Sequence, residues 1–276
     1  MVYGCFLSYY GDYFESSLNE FLLILNSTVG DYCCLVIDNG NLSDVHIGLA
    51  KSNGCIVMSG DNRLGEFSGW QKALDYIKSN YKFELGHLDS FVFANDTFNQ
   101  HRNWNLKKRL GVIAGIVECQ KLTTVPTLIG HVDRNKELFS ISGLPCQYWV
   151  STFLFITNFE FINRIEWELA LTDEKLKEYY SKVDDSGIHW KSNISKSLQS
   201  HLSQWLFPEH DRQHSWYGAS TKTPSQKEFK LTAILNEKYL SARCVSENGR
   251  LVSWLTKVEY LLLIIKNYKS IFRIMK

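Results

Sequence analysis

The sequence predicts an α/β protein built on a mostly parallel sheet with helices on both faces. Three observations carry that expectation. Over the first hundred residues, short apolar runs alternate with segments of helical periodicity, the pattern of a parallel sheet buried on both sides. Each apolar run stops at a polar turn rather than continuing into the next element. Apolar residues make up 45% and aromatic residues 14% of 276 positions. At roughly 100–200 residues per domain, that supports a full core in one large domain or two small ones.

The elements follow in order. Val2–Ser8 is an apolar strand feeding the polar loop Ser8, Tyr9 and Tyr10, and residues 14–26 place apolar side chains at helical spacing. Residues 33–37 (CCLVI) form a buried strand, stopped at the turn Asp38, Asn39, Gly40 and Asn41. Residues 55–58 are a further strand, 59–65 a loop, 69–80 a helix, and 91–94 a strand ending at Asn95, Asp96 and Thr97. In an open parallel sheet ligands bind outside the carboxyl ends of the strands, so these polar loops are expected to share one rim. The second half is less regular, with a strand at 149–157, helices at 173–182, 192–206 and 229–246, and a polar loop over 208–227. No repeat or clear linker divides it. The chain reads as one elaborated domain, with a ligand-binding part at 1–130 and a second, helix-rich part at 131–256, followed by a tail at 257–276.

Charge and cysteine usage exclude several classes. Thirty basic against 29 acidic residues leave a net charge of +1, which argues against a generally basic nucleic-acid binder. Cys5, Cys33, Cys34, Cys55, Cys119, Cys146 and Cys244 are odd in number and never spaced C-x-x-C, so they read as reduced core thiols. The first residues lack a signal-peptide pattern, and no run approaches the ~20 apolar residues of a membrane span. A cytoplasmic protein is expected. The tail (KVEYLLLIIKNYKSIFRIMK) is basic and amphipathic, suited to peripheral contact with the inner face of the membrane.

The most informative stretch is Leu35–Asp96, running LVIDNGN at 35–41, GDNRLGEFSGWQKALDYI at 60–77, and into FVFANDTF at 91–98. It resembles family 2 and related inverting glycosyltransferases of the GT-A fold. These carry a V-V-D-N-x-S turn, an N-x-G loop before a helix, and an apolar strand ending in an acidic metal-binding motif. The Asn95-Asp96-Thr97 ending is also similar to the rhamnan-synthesis branch of bacterial polysaccharide enzymes. The resemblance implies a GT-A-like sheet and a nucleotide-sugar donor held by Ser8, Tyr9, Asp38, Asn39, Asn62, Arg63, Gly65, Asn95 and Asp96. Asp38 would accept hydrogen bonds from the base. Asp96 would hold a divalent metal, Mn²⁺ or Mg²⁺, against the leaving diphosphate. The family pattern is D-x-D; Ala94 stands at its first position here, which leaves Arg63 or Lys72 to add positive charge.

Inverting transfer needs a base to draw the proton from the acceptor hydroxyl. In the family it comes from E-D-x-x-L-S-x-R. Residues 236–243 (NEKYLSAR) resemble that pattern, with Glu237 at the base position, Asn236 replacing the preceding acid, Arg243 closing the motif and Gly249 beyond it. Glu166, Asp173, Asp184 and Asp185 are the other carboxylates considered. Taken singly, Asp-Asn-Gly is also an ordinary turn and Asn95-Asp96 an ordinary helix cap; only their joint order points to a site. The EHDRQH run, with Glu209, His210, Asp211 and His214, lacks a zinc-helix pattern and reads as a solvated loop. Trp190, Trp205, Trp216 and Tyr217 are candidate sugar platforms or core. The function implied is transfer of a sugar to a glycan carried on a polyprenyl diphosphate, in O-antigen or capsule synthesis, with no nucleic-acid partner. A retaining transferase, a nucleotidyltransferase and a non-catalytic glycan- or partner-binding relative are the alternatives.

Overall fold

Every residue of the first strand, β1 (Val2–Ser8), is buried. A strand reads as a continuous apolar run only when both faces are covered, and here both are. Tyr3, Cys5 and Leu7 enter one core cluster, while Val2 and Phe6 enter another on the opposite face. A computed structural model of the chain describes residues 1–28, 30–40, 42–100, 104–208, 216 and 218–254.

The elements after β1 are α1 (Gly11–Asn26), β2 (Tyr32–Asp38), α2 (Asp44–Ser52), β3 (Ile56–Ser59), β4 (Arg63–Gly65), α3 (Glu66–Tyr81), β5 (Ser90–Asn95) and α4 (Leu106–Lys121). Then come β6 (Thr127–Ile141), β7 (Leu144–Asn158), α5 (Phe159–Arg164), α6 (Asp173–Leu176), β8 (Tyr180–Asp184), β9 (Gly187–Trp190), α7 (Lys196–Leu206), α8 (Pro224–Ser246) and β10 (Arg250–Ser253). Seven strands form one sheet in the order β10-β6-β7-β5-β1-β2-β3. β1 pairs in parallel with both β2 and β5, β2 with β3, and β10 with β6. Only β7 runs against its neighbours. The α/β sheet, mostly parallel and flanked by helices, is the architecture the sequence predicts.

Helices α1 and α4 cover one face, and α3, α7 and α8 the other. Gly4 lets α1 lie close on β1: a Cβ there would stand 2.6 Å from Leu25 Cδ1. Gly249 does the same where the chain turns from α8 into β10, because a Cβ would come 2.5 Å from the Cys244 carbonyl and 2.6 Å from that of Pro126. Helix α8 starts at a capping box formed by Thr223 and Gln226, with Pro224 in its first turn.

The second half departs from expectation in three places. The helix expected over 173–182 stops at Leu176, and Tyr180–Asp184 pairs with Gly187–Trp190 as a hairpin. Its turn is made by Asp184 Oδ1 accepting from the Ser186 N–H, followed by Gly187 at φ +127°, so turn chemistry overrides helical periodicity. The strand expected at 149–157 is one arm of a longer hairpin, β6–β7, whose other arm mixes polar residues into the run. The polar loop expected over 208–227 gives way to α8 at Pro224. Glu209, His210, Asp211, His214, Tyr217 and the tail at 257–276 lie outside the described residues. Among the described residues no helix is long and apolar enough to cross a membrane.

Candidate active site

Because β2, β1 and β5 are parallel neighbours, their carboxyl ends open on one edge, at Asp38, Ser8 and Asn95. A cavity of about 460 Å³ lies there. Its sheet-side wall is built from Tyr9, Tyr10, Asn39, Asn62, Glu66 and Asn95, with Leu7, Gly65, Asp96 and Thr97. Helix α8 and the segment before it form the facing wall, through Trp216, Lys222, Ser225, Gln226, Phe229, Lys230 and Ala233.

Local chemistry places the sheet-side residues. Asn95 accepts from the Thr97 N–H (3.2 Å) and hydroxyl (3.0 Å), closing the turn after β5, and its amide donates to Glu66 Oε1 at 3.2 Å. Asn39 donates to Asn62 Oδ1 at 3.2 Å, joining the turn after β2 to the loop before α3. Asn62 sits at φ +51° and Gly65 at φ +62°, so two left-handed residues turn that loop into α3. Tyr9 and Tyr10 meet edge to face at 4.7 Å between ring centroids.

Asp96 ties this edge together. Its Oδ2 accepts from the Tyr9 N–H at 2.6 Å, the Tyr10 N–H and the Ser8 hydroxyl at 3.3 Å. Oδ1 is buried with no partner among the described residues. Burial pushes the carboxyl up to about 6, against the lowering effect of the donors from Tyr10, Tyr9 and Ser8. Asp96→Ala is expected to cost about 3 kcal/mol in denaturant unfolding, since it strands two backbone N–H groups and a hydroxyl. Asp96→Asn keeps an acceptor oxygen and is expected to cost about 1 kcal/mol or less. Equal losses in the two variants would remove this anchoring role.

A divalent cation at this edge needs carboxylate oxygens it can reach. Asp96 has one oxygen committed to three donors and the other enclosed, and Glu66 already accepts from Asn95. Among the described residues no group of three or more His, Cys, Asp or Glu converges on one point. Asp96, the expected metal ligand, is bonded as a loop anchor, with Oδ2 shared by three donors and Oδ1 enclosed and unpartnered at the cavity wall.

The structure puts Tyr9, Asn39, Asn62, Gly65, Asn95 and Asp96 into the cavity wall and leaves three of the expected donor residues outside it: Ser8, which is buried and donates to Asp96, Asp38 and Arg63. Asp38 turns back on its own loop, where Oδ1 accepts from Gly40 (2.8 Å) and Leu42 (3.2 Å). Arg63 pairs with Asp173 on the surface. Lys72, the other expected cation, lies 3.5 Å from Asp61. Glu237 is one helical turn beyond Ala233 on α8; its Oε2 accepts from the Thr152 N–H (2.9 Å) and hydroxyl (3.1 Å), and Oε1 lies 3.3 Å from Lys238 Nζ. Asn236 accepts from the Leu171 N–H at 2.6 Å and donates to the Thr232 carbonyl at 2.9 Å. A carboxylate could not do both, which gives a physical reason for an amide there.

Glu166, Asp173, Asp184 and Asp185 do not line the cavity. Trp216 does, stacked on Trp205 at 6.4 Å, whereas the half-buried Trp190 donates to Ser203 at the core's edge. Residues not singled out from the sequence are Glu66 and, on the far wall, Lys222, Gln226, Phe229 and Lys230. The T-P-x-Q start of α8 was the available signal for the latter, because it fixes where the helix begins and which residues share its face.

No family model matches the chain, and no curated protein sequence matches it. Among solved structures the chain is similar to the mannosyltransferase PcManGT from Pyrobaculum calidifontis in complex with GDP-Man and Mn²⁺. That match has 12% identity and a TM-score of 0.41 over 89% of this chain and 73% of that one. It is also similar to S. aureus TarS 1-349, with 16% identity and a TM-score of 0.34 over 64% of this chain and 53% of that one.

Proposed function

We propose that this chain is a glycosyltransferase whose cavity takes a nucleotide-activated sugar and presents it to an acceptor hydroxyl. One observation carries the reading. Three segments far apart in sequence, each resembling a glycosyltransferase motif, put Asn39, Asn62 and Asn95 into one cavity at the carboxyl ends of parallel strands. Amide side chains suit a donor because each both gives and accepts hydrogen bonds, as a base edge and sugar hydroxyls require. Tyr9 and Tyr10 add aromatic faces for a base or a pyranose ring.

On this reading residues 1–130, with the α8 wall, bind the donor, and 131–256 receive the acceptor. Glu237 is the acceptor-side base, exchanging its bonds to Thr152 for the incoming hydroxyl, and the anomeric centre inverts. The acceptor is a lipid-linked glycan of a surface polysaccharide such as O-antigen or capsule, met at the inner face of the membrane. These assignments extend the resemblance in the sequence.

Thermal melts of the chain with UDP-, GDP-, dTDP- and CMP-sugars test the donor reading. One nucleotide class is expected to raise the melting temperature by several degrees at a hundredfold excess over its dissociation constant, since ligand binding adds about 2.7 kcal/mol under that condition. No shift with any of them removes the reading. Proton NMR of the product's anomeric centre then decides between inversion and retention.

A further inference from the structure

A nucleotide sugar brings a doubly negative diphosphate into the cavity, and burying that charge uncompensated is costly. At Asp96, Oδ2 is committed to three donors and Oδ1, though unpartnered, is enclosed by protein. Arg63 and Lys72 are paired with Asp173 and Asp61. Glu66 and Asp96 make the sheet-side wall acidic, so an anion is repelled from it.

The opposite wall has the complementary charge. Lys222 and Lys230 both line the cavity, and both are half-buried. Lys222 Nζ rests 5.7 Å from the centroid of the Trp216 ring, a contact that holds an ammonium in place without neutralising it. Lys230 lies one turn along α8 from Gln226, on the helix face that forms the wall. Among the described residues neither lysine forms an ion pair. Two ammonium groups match the two charges of a sugar-nucleotide diphosphate.

We propose that Lys222 and Lys230 bind and neutralise the donor diphosphate, in place of a divalent cation held at Asp96. The inference rests on the nucleotide-sugar reading. It makes the two lysines binding residues for the leaving group: they stabilise negative charge as the nucleoside diphosphate departs, and they transfer no proton.

Calorimetric titration of UDP, GDP and dTDP, each against its own nucleoside, tests this on the full chain in EDTA and in Mn²⁺. One diphosphate is expected to bind in EDTA, and Mn²⁺ to change its affinity by less than about threefold. The double variant Lys222→Ala/Lys230→Ala is expected to lose about tenfold or more of that affinity and most of its salt dependence, with nucleoside binding unchanged. Lys222→Arg/Lys230→Arg keeps both charges and is expected to retain most of the affinity. A diphosphate that binds only with Mn²⁺, or that binds the double alanine variant as tightly as wild type, overturns the inference and leaves the donor reading standing. If no diphosphate binds wild type in either buffer, the inference fails, and the donor reading fails with it unless the melts show a shift with a CMP-sugar.

Discussion

Replacing Glu237 by Gln is expected to lower sugar transfer by about 10²–10⁴-fold, the usual worth of a positioned general base. Gln keeps the shape and still offers an oxygen to the Thr152 N–H and hydroxyl, which Glu237 Oε2 holds at 2.9 and 3.1 Å. What it cannot do is take a proton from the acceptor. Donor affinity is expected to stay near wild type, because Glu237 does not line the cavity. The check is a split measurement, with calorimetry for nucleotide binding and initial rates for transfer. A Gln variant that transfers sugar at the wild-type rate removes Glu237 as the base. One that loses nucleotide binding and transfer together reveals a structural role instead.

The fold itself is expected to gain stability from neutral to alkaline pH through one residue. Lys238 is 2% exposed, and its Nζ lies 3.0 Å from the centroid of the Trp149 ring. Burial lowers its ammonium from 10.5 to about 8, against the raising effect of Glu237 beside it. Between those two values the unfolded chain binds the proton that the folded chain has released. Stability contributed by this group therefore rises with pH across that window, by about 3 kcal/mol in all. Below pH 8 the full cost of burying the ammonium is present. Urea unfolding from pH 7 to 10.5, with Lys238→Met as the reference, isolates the effect from the tyrosines and cysteines that titrate nearby. The wild-type-minus-variant difference is expected to climb across the window, and a flat difference would show that Lys238 titrates normally in the fold.

The site divides along a similar line between what is local and what is not. Asn95 and Thr97 were legible because an Asx turn after a buried strand is a local matter of side chain and backbone. Asn39 and Asn62 could be singled out for the same reason. Asp38 looked the same in sequence, yet it spends its carboxylate on Gly40 and Leu42 and leaves the cavity to its neighbour. Arg63 likewise has the right chemistry but faces Asp173, a residue brought to it only by folding. Helical spacing over 173–182 points to a helix, but the turn formed by Asp184, Ser186 and Gly187 makes the hairpin β8–β9 instead.

By itself, then, the sequence determined the alternation of strands and helices, the sheet class, and the polar turns at the ends of β1, β2 and β5. Hydrophobic periodicity and turn chemistry act over a few residues, so they are written where they act. Only the tertiary structure decided what faces those turns. Helix α8 begins more than a hundred residues after β5, and its packing over the sheet brings Trp216, Lys222 and Lys230 opposite Asn39 and Asn95. Folding also buries Asp96 against the end of β1, and its burial and the three donors from Ser8, Tyr9 and Tyr10, not its place in an Asn-Asp-Thr motif, set how that carboxylate is bonded.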